Sequence, residues 1–438
     1  MSHTKKTVHI VGAGLAGSEC AWQLAQAGFS VILYEMRGDT MTPAHKTDSC
    51  AELVCSNSLG NLGEFTAPGQ LKWEAEKFNS LILSCAKAAQ VPAGMALAVD
   101  RDQFSRLVTQ HLTEHVNIRL ERKVIHGLDD LPRPLVIATG PLTHDDLAQD
   151  LARHLGQHHL YFFDAIAPII DADTIDMEVV WRQDRWDKGT GDYLNCPFDK
   201  EHYYAFVNEI KAARKIEPRD FEKTPYFEGC MPVEAIVERG VDTLRFGPMK
   251  PKGLSNPRTG RMPFAVVQLR QENRAATAYN MVGFQTKMAY PEQKRVFRMI
   301  PGLEKAEFLK LGSMHRNLYI NTPRSLNADL SSRHDPLLFF AGQITGVEGY
   351  FESTCMGLVV AQALQAKLSQ RPWQPPPPHT ALGALLAAIT DRERAHFQPT
   401  NINFGLFPPL SPGVRIDKSA RKEQTIKAAQ HFFTNPST

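Results

Sequence analysis

The feature that most limits the fold of this chain is the glycine-rich run at residues 12–17, GAGLAG. A short apolar segment at residues 8–11 precedes it and predicts a buried strand. A helical pattern at residues 18–27 follows, and residues 30–35 then predict a second strand. Strand, glycine turn, helix and strand in this order are typical of a unit that binds a dinucleotide.

Each position of this run has a physical task in such a unit. Gly12 permits a tight turn, Gly14 lets the backbone approach a pyrophosphate, and Gly17 lets the helix pack against the strand. The first amides of the helix and its positive end attract phosphate. Glu35, which ends the second predicted strand, would accept hydrogen bonds from ribose hydroxyls. The predicted cofactor contacts here are Gly12, Ala13, Gly14, Leu15, Ala16, Gly17 and Glu35.

Two later segments specify FAD rather than NAD as the dinucleotide. Ala138-Thr139-Gly140 ends a predicted strand and resembles the second glycine-containing strand of flavoproteins with two dinucleotide folds. Gly342-Gln343 follows another buried strand and resembles the turn that contacts flavin in the same proteins. Three such segments in the expected order favour FAD, with Thr139, Gly140, Gly342 and Gln343 among its contacts.

Length and composition indicate more than one domain. A chain of 438 residues exceeds the size of one compact core, while 43% hydrophobic and 22% charged residues are ordinary for a globular protein. The pattern of residues 156–325 is irregular and rich in aromatic residues, proline and glycine. We therefore expect an α/β, FAD-binding, doubly wound fold of the two-dinucleotide type with an inserted α+β domain. The expected limits are 1–155 and 326–438 for the FAD domain, which ends in a helical tail, and 156–325 for the insertion.

The sequence lacks the signals of export, membrane insertion and metal binding. It shows no apolar signal-peptide core and no apolar run of membrane-spanning length. Seven scattered cysteines form no C-x-x-C pair and are not typical of a disulfide framework. These observations predict a reduced, cytoplasmic enzyme without a metal site.

Several segments closely resemble one family, the TrmFO proteins. The most unusual are AELVCSNSL at residues 51–59 and FEGCMP at residues 227–232. The likeness extends over nearly the whole chain. It continues in the segments 247–251, 265–270, 280–286, 314–317, 346–350 and 403–407.

The resemblance implies folate- and FAD-dependent methylation at C5 of a uridine in tRNA, the T-loop uridine at position 54. The carbon would come from 5,10-methylenetetrahydrofolate, and the electrons would come from NAD(P)H through the flavin. By analogy, Cys230 is the nucleophile that adds to C6 of uracil, and Cys55 is an acid/base or flavin-proximal group. The two roles are interchangeable in this interpretation. The glycine turn with Gly346, Gly349 and Tyr350 completes the implied flavin contacts.

A basic segment in the expected insertion is a candidate RNA contact. No acidic residue lies between residues 245 and 261, although the formal net charge of the chain is only +2. Phosphates of an RNA substrate would require cations of this kind. The candidates are Arg245, Lys250, Lys252, Arg258 and Arg261.

Three other functions remain open from the sequence. The same chemistry on a ribosomal RNA uridine fits equally well with the residues. A GidA-like flavoprotein that modifies wobble uridines is disfavoured, because the chain ends soon after the prolines at residues 375–378. A flavin-dependent RNA-binding or redox protein without methyl transfer is the third. We expect tRNA and folate as partners, no membrane and no obligate protein partner.

Overall fold

The computed structural model describes residues 6–434 except 43, 157–159, 166, 188, 217–230, 313, 394–396 and 410–416. The strands are β1 (Thr7–Val11), β2 (Ser30–Glu35), β3 (Ser58–Asn61), β4 (Gln90–Val91), β5 (Ala96–Val99), β6 (Ile118–Arg122), β7 (Leu135–Ile137), β8 (Leu160–Ala165), β9 (Ile169–Asp171), β10 (Trp181–Arg182), β11 (Tyr193–Phe198), β12 (Ala265–Gln271), β13 (Ala278–Met281), β14 (Phe308–Lys310), β15 (Met314–Tyr319) and β16 (Leu338–Phe340). The helices are α1 (Leu15–Gln26), α2 (Ala67–Glu76), α3 (Leu81–Ala88), α4 (Arg101–Glu114), α5 (Asp145–Leu155), α6 (Lys200–Ala212), α7 (Val233–Glu238), α8 (Thr243–Phe246), α9 (Tyr290–Phe297), α10 (Thr322–Ser325), α11 (Tyr350–Leu368), α12 (Ala381–Thr390) and α13 (Lys418–Thr434).

The first sheet is parallel and has the strand order β16-β7-β1-β2-β6. Its central strands are apolar and buried, as parallel strands covered on both faces must be. Helix α11 is buried along most of its length and packs against α1. Gly357 makes that contact possible, because a Cβ there would lie 2.2 Å from the carbonyl oxygen of Ala16. The predicted α/β fold with a parallel sheet is confirmed.

The second sheet is antiparallel and is built from residues between β7 and β16. Its strand order is β10-β11-β12-β13-β9-β14. A separate core of aromatic and aliphatic side chains lies between this sheet and helices α6, α7 and α9, and includes Tyr203, Phe206 and Phe297. Strands β8 and β15 pair antiparallel with each other where the chain leaves and re-enters the first sheet. The limits at residues 155 and 325 stay a prediction.

The local predictions agree with the structure more closely for strands than for helix starts. Strand β2 has the expected bounds. Helix α1 starts at Leu15 rather than residue 18, and α11 starts at Tyr350. Both helices begin directly after a glycine turn, because the residues after Gly14 and Gly349 already pack into the interior. None of the described helices combines the length and apolar character needed to cross a bilayer.

Candidate active site

The first glycine turn joins β1 to α1, and its three glycines have different surroundings. Gly12 has a φ of +101°, and a Cβ there would lie 2.6 Å from the carbonyl oxygen of Ala138. A Cβ at Gly17 would lie 1.8 Å from the carbonyl oxygen of Gly12. A Cβ at Gly14, in contrast, would meet nothing within 4 Å. The turn is therefore tightly packed against the protein at Gly12 and Gly17 and open at Gly14, as a turn that binds phosphate must be.

The open side of this turn is one wall of a cavity with about 1020 Å³ of empty space, part of which is open solvent. Most of the predicted cofactor residues line it, namely Gly12, Gly14, Leu15, Ala16, Glu35, Thr139, Gly140, Gly342, Gln343 and Tyr350. Ala13, Gly17, Gly346 and Gly349 are not among its lining residues. The structure thus brings together three segments that are far apart in the sequence, at the carboxyl ends of β1, β7 and β16.

Glu35 lies in this cavity wall but is already bound by the protein. Its carboxylate accepts hydrogen bonds from the backbone amide of Ala13 at 2.8 Å and from Nε of Arg37 at 2.9 Å. Burial alone would raise the pKa of the Glu35 carboxyl, but hydrogen bonds from Arg37 and Ala13 and the guanidinium charge hold that pKa below its ordinary value. Glu35 is therefore a fixed anion, and Arg37 is its fixed cation.

Arg37 is a residue that the sequence did not single out. It is buried and lines the cavity, and its Nη1 makes no hydrogen bond to any described residue. The nearest carboxylate oxygen to that nitrogen, Oε2 of Glu52, is 3.5 Å away. A buried N–H donor without an acceptor is costly, and a ligand oxygen would remove that cost. This donor and the open face of Gly14 together fit a dinucleotide with its phosphates at the turn.

The second glycine turn lies directly against the first. Gly342 has a φ of +84°, and a Cβ there would lie 2.7 Å from Cβ of Ala16. Helix α11 starts eight residues after Gly342, with Gly349 as its N-cap and with Tyr350, which lines the cavity, as its first residue. Gly346 and Gly349 have positive φ values of 84° and 111°. These glycines therefore shape the turn that leads into Tyr350.

The hydroxyl of Tyr350 connects the cavity to a loop that carries Cys55. It accepts hydrogen bonds from the backbone amides of Cys55 at 2.7 Å and Ser56 at 3.2 Å. Burial, together with the neighbouring Cys55, raises the pKa of the Tyr350 hydroxyl well above its ordinary value, so this hydroxyl stays protonated. Tyr350 thus positions the loop as well as lining the cavity.

Basic side chains hold the same loop, residues 53–57, which we call the cysteine loop. Arg101 donates to the carbonyl oxygen of Leu53 at 2.7 Å, and Lys310 donates to that of Val54 at 3.1 Å. Arg270 donates to Oγ of Ser56 at 2.8 Å. Arg101 belongs to α4, whereas Lys310 and Arg270 belong to the second sheet. The cysteine loop is therefore fixed where the two sheets meet.

Asn57 anchors the end of the cysteine loop. It is fully buried, and its Nδ2 donates to the carbonyl oxygens of Val99 at 3.1 Å and Gln271 at 3.0 Å. Its Oδ1 accepts from Nε of Arg270 at 3.0 Å. One amide side chain thus ties together the cysteine loop, the small sheet that contains β5, and β12.

Cys55 differs from the other described cysteines in its exposure. It is half-buried, whereas Cys20, Cys50, Cys85, Cys196 and Cys355 are buried. Burial raises the pKa of the Cys50 thiol to about 11 and that of the Cys85 thiol to about 12, so both stay neutral. Only the thiolate of a cysteine is a good nucleophile. Among the described cysteines, Cys55 is therefore the candidate for chemistry.

Two cations influence the surroundings of Cys55. Burial and the nearby positive charges of Arg101 and Lys46 lower the pKa of the Lys310 ammonium to about 8. Arg101 forms an ion pair with Glu272 in which Nε and Oε2 are 2.8 Å apart. Lys310 and Arg101 had no local signal in the sequence.

Cys230, the predicted nucleophile, lies outside the described residues. The described chain resumes at Met231, and the amide of Val233 donates to the carbonyl oxygen of Gln285 at 2.8 Å. Helix α7 starts at Val233 and belongs to the core of the second sheet. The proposed role of Cys230 therefore stays a prediction.

The predicted RNA contacts fall into two groups in the structure. The guanidinium of Arg245 lies 3.6 Å from the centroid of the Phe264 ring and donates to the carbonyl oxygen of Phe264. Arg258 donates to the carbonyl oxygens of Met177 and Val179. These two arginines stabilise loops. The side chains of the second group are exposed and form no hydrogen bond or ion pair with the described residues. This group consists of Lys250, Lys252 and Arg261.

One group of metal-ligand type is present among the described residues. His126, His144 and Asp146 have ligand atoms within 4.8 Å of one another, near the cavity mouth. Nδ1 of His126 is hydrogen-bonded to Asp146 at 2.8 Å, and two of the three residues are exposed. Hydrogen bonding between these side chains accounts for the cluster, and the prediction of no metal site is left as it stands.

The fold and the cavity define an α/β dinucleotide-binding protein with a cysteine loop beside the dinucleotide cavity. The sequence profile described as "Glucose inhibited division protein A" matches residues 7–372. A "Methylenetetrahydrofolate--tRNA-(uracil-5-)-methyltransferase TrmFO" of Bdellovibrio bacteriovorus is 66% identical over 97% of each chain. A protein of the same name from Sphingopyxis alaskensis is 55% identical over 93% of each chain. The chain belongs to the TrmFO family.

Among solved structures, GidA of Aquifex aeolicus shares the fold. It superimposes with a TM-score of 0.68 at 13% sequence identity, over 99% of this chain and 74% of that one. A second crystal form of the same protein gives the same TM-score. At this level of identity the similarity shows the arrangement of both sheets and nothing about substrates.

Proposed function

We propose that this protein is a folate- and FAD-dependent methyltransferase that methylates C5 of a uridine in tRNA, at T-loop position 54. The observation that carries the proposal is the contact between Tyr350 and the cysteine loop. A residue that lines the dinucleotide cavity holds the amide of the one half-buried cysteine among the described residues. A thiol beside a flavin cavity is the combination that this chemistry needs. The names of the close relatives support the substrate.

The residues around the cavity fit FAD by their chemistry. We propose that the turn at Gly12 and Gly14, the start of α1 and Nη1 of Arg37, which makes no hydrogen bond to the described residues, hold its phosphates. The turn at Gly342 and the ring of Tyr350 would hold the flavin end. When bound, reduced FAD supplies the electrons that convert a one-carbon unit to a methyl group. NAD(P)H is the proposed source of these electrons, and 5,10-methylenetetrahydrofolate is the proposed source of the carbon.

The protein residues provide the nucleophile and the proton transfers. A cysteine thiolate adds to C6 of uracil, and electron density moves to C5, which then forms a bond to the one-carbon unit. A base removes the C5 proton as the bond between the one-carbon unit and its carrier breaks. Two electrons and a proton then reduce the carbon to a methyl group, and the thiolate leaves from C6 as the ring double bond re-forms. We propose Cys230 as this nucleophile and Cys55 as the acid/base or flavin-proximal group, with the two roles interchangeable. The base that removes the C5 proton is not assigned.

Methylation of a tRNA transcript tests the proposal. The purified protein should be yellow with a flavin absorption spectrum. With 5,10-methylenetetrahydrofolate and NAD(P)H it should form 5-methyluridine, detected by mass spectrometry of nuclease digests. A transcript with cytidine at position 54 should remain unmodified, and a ribosomal RNA fragment tests the alternative target. Product formed with S-adenosylmethionine but not with the folate would refute the proposal.

Cysteine variants separate the proposed roles from structural effects. Cys230→Ala and Cys55→Ala should each lose nearly all methylation, whereas Cys85→Ala, in a buried helix position, serves as the control. Full activity of both Cys55→Ala and Cys230→Ala would exclude the thiol mechanism. Flavin content of each variant shows whether the cavity is intact. Cytoplasmic location and the lack of an obligate protein partner stay predictions from the sequence.

A further inference from the structure

The loop between β10 and β11 exposes a tryptophan in an unusual backbone conformation. Trp186 is 59% exposed and has φ of 62° and ψ of 22°. Asp187, the next residue, also has a positive φ, of 51°. Side chains other than glycine seldom adopt this conformation, and such residues often mark functional sites. Neither the cavity nor the cysteine loop uses Trp186, so its position needs another explanation.

Contacts with the loop at residues 250–253 hold this exposed ring in place. The amide of Trp186 donates to the carbonyl oxygen of Gly253 at 2.8 Å. The ring lies so close to Gly253 that a Cβ there would be 2.8 Å from its Cε2 atom. Nη1 of Arg185 donates to the carbonyl oxygens of Lys250 and Lys252 at 2.5 and 3.0 Å. The ring and the loop at residues 250–253 therefore form one rigid surface, which we call the tryptophan platform.

The charge of the tryptophan platform is complementary to nucleic acid. Nζ of Lys252 lies 5.9 Å from the ring centroid of Trp186, and the exposed Lys250 side chain is on the same loop. The nearest acid along the chain, Asp187, accepts a hydrogen bond from Gln183 at 2.8 Å. Asp184 is buried and accepts from the amide of Gly191 at 2.8 Å. The Lys252 ammonium thus lies over the ring, with Lys250 on the same loop, and both carboxylates accept hydrogen bonds from residues of their own loop.

We propose that Trp186 is a stacking site for an unpaired base of RNA, with Lys250 and Lys252 bound to the adjacent phosphates. An exposed aromatic ring next to lysines is the usual arrangement for binding single-stranded nucleic acid, because every base has a face that can stack. This inference rests on the proposed tRNA substrate and names the surface that binds it outside the cavity.

Binding of a tRNA transcript to the flavin-loaded full chain tests the tryptophan platform. By fluorescence anisotropy, Trp186→Ala should raise the Kd at least about fivefold, because stacking of one base on an aromatic ring has an effect of that order. Trp186→Phe should bind nearly as well as the wild type, because it retains a ring. Lys252→Met should reduce the dependence of log Kd on log salt by about one unit, whereas Trp186→Ala should leave that slope unchanged.

Intrinsic fluorescence provides a second measurement that does not depend on the alanine variant. The emission of Trp186 is the difference between the wild type and Trp186→Phe, and tRNA should quench it. Unchanged emission together with unchanged Kd in Trp186→Ala would overturn the inference. If this happens while the wild-type protein methylates tRNA, only the inference about Trp186 is wrong and the proposed function survives. If the wild type neither binds nor methylates tRNA, both are wrong.

Discussion

The two walls of the candidate site are built in different ways. The cavity wall at the first sheet consists of backbone, and its glycines have no side chain where a ligand or a neighbouring strand must approach. The wall at the cysteine loop consists of side chains from distant parts of the chain, held by Arg101, Arg270 and Lys310. We therefore expect substitutions that add a side chain to disrupt the first wall, and substitutions that remove a side chain to disrupt the second.

This difference has a parallel at the starts of the helices. Helix α1 begins after Gly14, which has no side chain to cap it, so its first amides remain available to a ligand. The first amides of α12, at Ala381 and Leu382, instead bind the buried carboxylate of Glu74 at 2.7 and 2.8 Å. The start of α1 is therefore open to the anion of a ligand, whereas the start of α12 is occupied by a carboxyl group of the protein itself.

The largest loss of stability and of flavin binding should come from adding a single methyl group to the backbone wall. Gly17→Ala places a Cβ 1.8 Å from the carbonyl oxygen of Gly12, and neither backbone segment can move without disturbing the turn. We expect loss of flavin and a destabilisation of about 3 kcal/mol or more. Thermal unfolding and the flavin absorption of the purified variant measure these effects.

Gly14→Ala is the matched control for this change. Its Cβ would meet no protein atom within 4 Å, so the flavin-free protein should unfold near the wild-type temperature. Flavin affinity should nevertheless fall at least about tenfold, because the methyl group occupies the space of the phosphates. Wild-type flavin content in Gly14→Ala would show that the phosphates lie elsewhere.

The side-chain wall should lose stability when one member of the Arg101–Glu272 ion pair is removed. Arg101→Met leaves Glu272 buried without its cation and the carbonyl oxygen of Leu53 without its donor. Removal of one member of a buried pair destabilises a protein by about 3 kcal/mol or more. Thermal unfolding monitored by circular dichroism measures the change.

An exposed arginine provides the comparison for Arg101. Arg295 is bound to Glu292 at 2.7 Å on the surface, with 48% of its side chain exposed. Arg295→Met should cost less than about 1 kcal/mol, as exposed ion pairs do. If both variants lose the same stability, the Arg101–Glu272 pair does not hold the cysteine loop in the way described.

The backbone wall was predictable from the sequence, and the side-chain wall was not. The bounds of β2 and the positions of Gly12, Gly14 and Gly17 follow from a local pattern of strand, turn and helix. Such a pattern is visible within a few dozen residues because the constraint is steric and local.

The residues of the side-chain wall carry no such local pattern. Arg101 and Lys310 both bond to carbonyl oxygens of the cysteine loop, although 48 and 256 positions separate them from their partners. An arginine or lysine in a strand or at a helix start is most often a surface residue, so no local pattern distinguishes these two. The resemblance to TrmFO identified Cys55 but not the groups that hold its loop.

The carboxyl group of Glu74, which occupies the start of α12, predicts that the stability of the protein depends on pH. Burial raises the pKa of the Glu74 carboxyl to about 7, against hydrogen bonds from Leu382 and Ala381 that lower it. Because this pKa is higher in the folded state than in the unfolded state, the stability that Glu74 contributes is complete below about pH 4.5. It is lost as the pH rises through about 7.

Glu74→Gln should remove this dependence, because an amide does not titrate. Between pH 5 and pH 8 the variant should gain up to about 3 kcal/mol relative to the wild type. The difference between the two unfolding temperatures at each pH measures this effect. Glu76→Gln, an exposed change in the same helix, is the control. A constant difference between Glu74→Gln and wild type across this range would show that Glu74 is ionised throughout.

The smallest effect should be seen at Lys310, which acts on Cys55 through its charge and through the carbonyl oxygen of Val54. We expect Lys310→Met to slow alkylation of Cys55 by iodoacetamide about threefold at pH 7.5, because the variant lacks both the positive charge near the thiol and the donor to the carbonyl oxygen of Val54. Lys310→Arg should restore the rate. Above about pH 8 the arginine variant should react faster than the wild type, since the wild-type lysine then loses its proton.

Peptide mapping by mass spectrometry assigns the alkylation to Cys55 without any need for the substrates. Lys427→Met, which removes an exposed lysine paired with Glu423 on α13, should leave the rate unchanged. A rate in Lys310→Met equal to that of the wild type from pH 7 to pH 9 would mean that Lys310 only braces the backbone of the cysteine loop. The side-chain wall would then hold Cys55 in position without influencing its reactivity, and its role would be as purely geometric as that of the glycine turn.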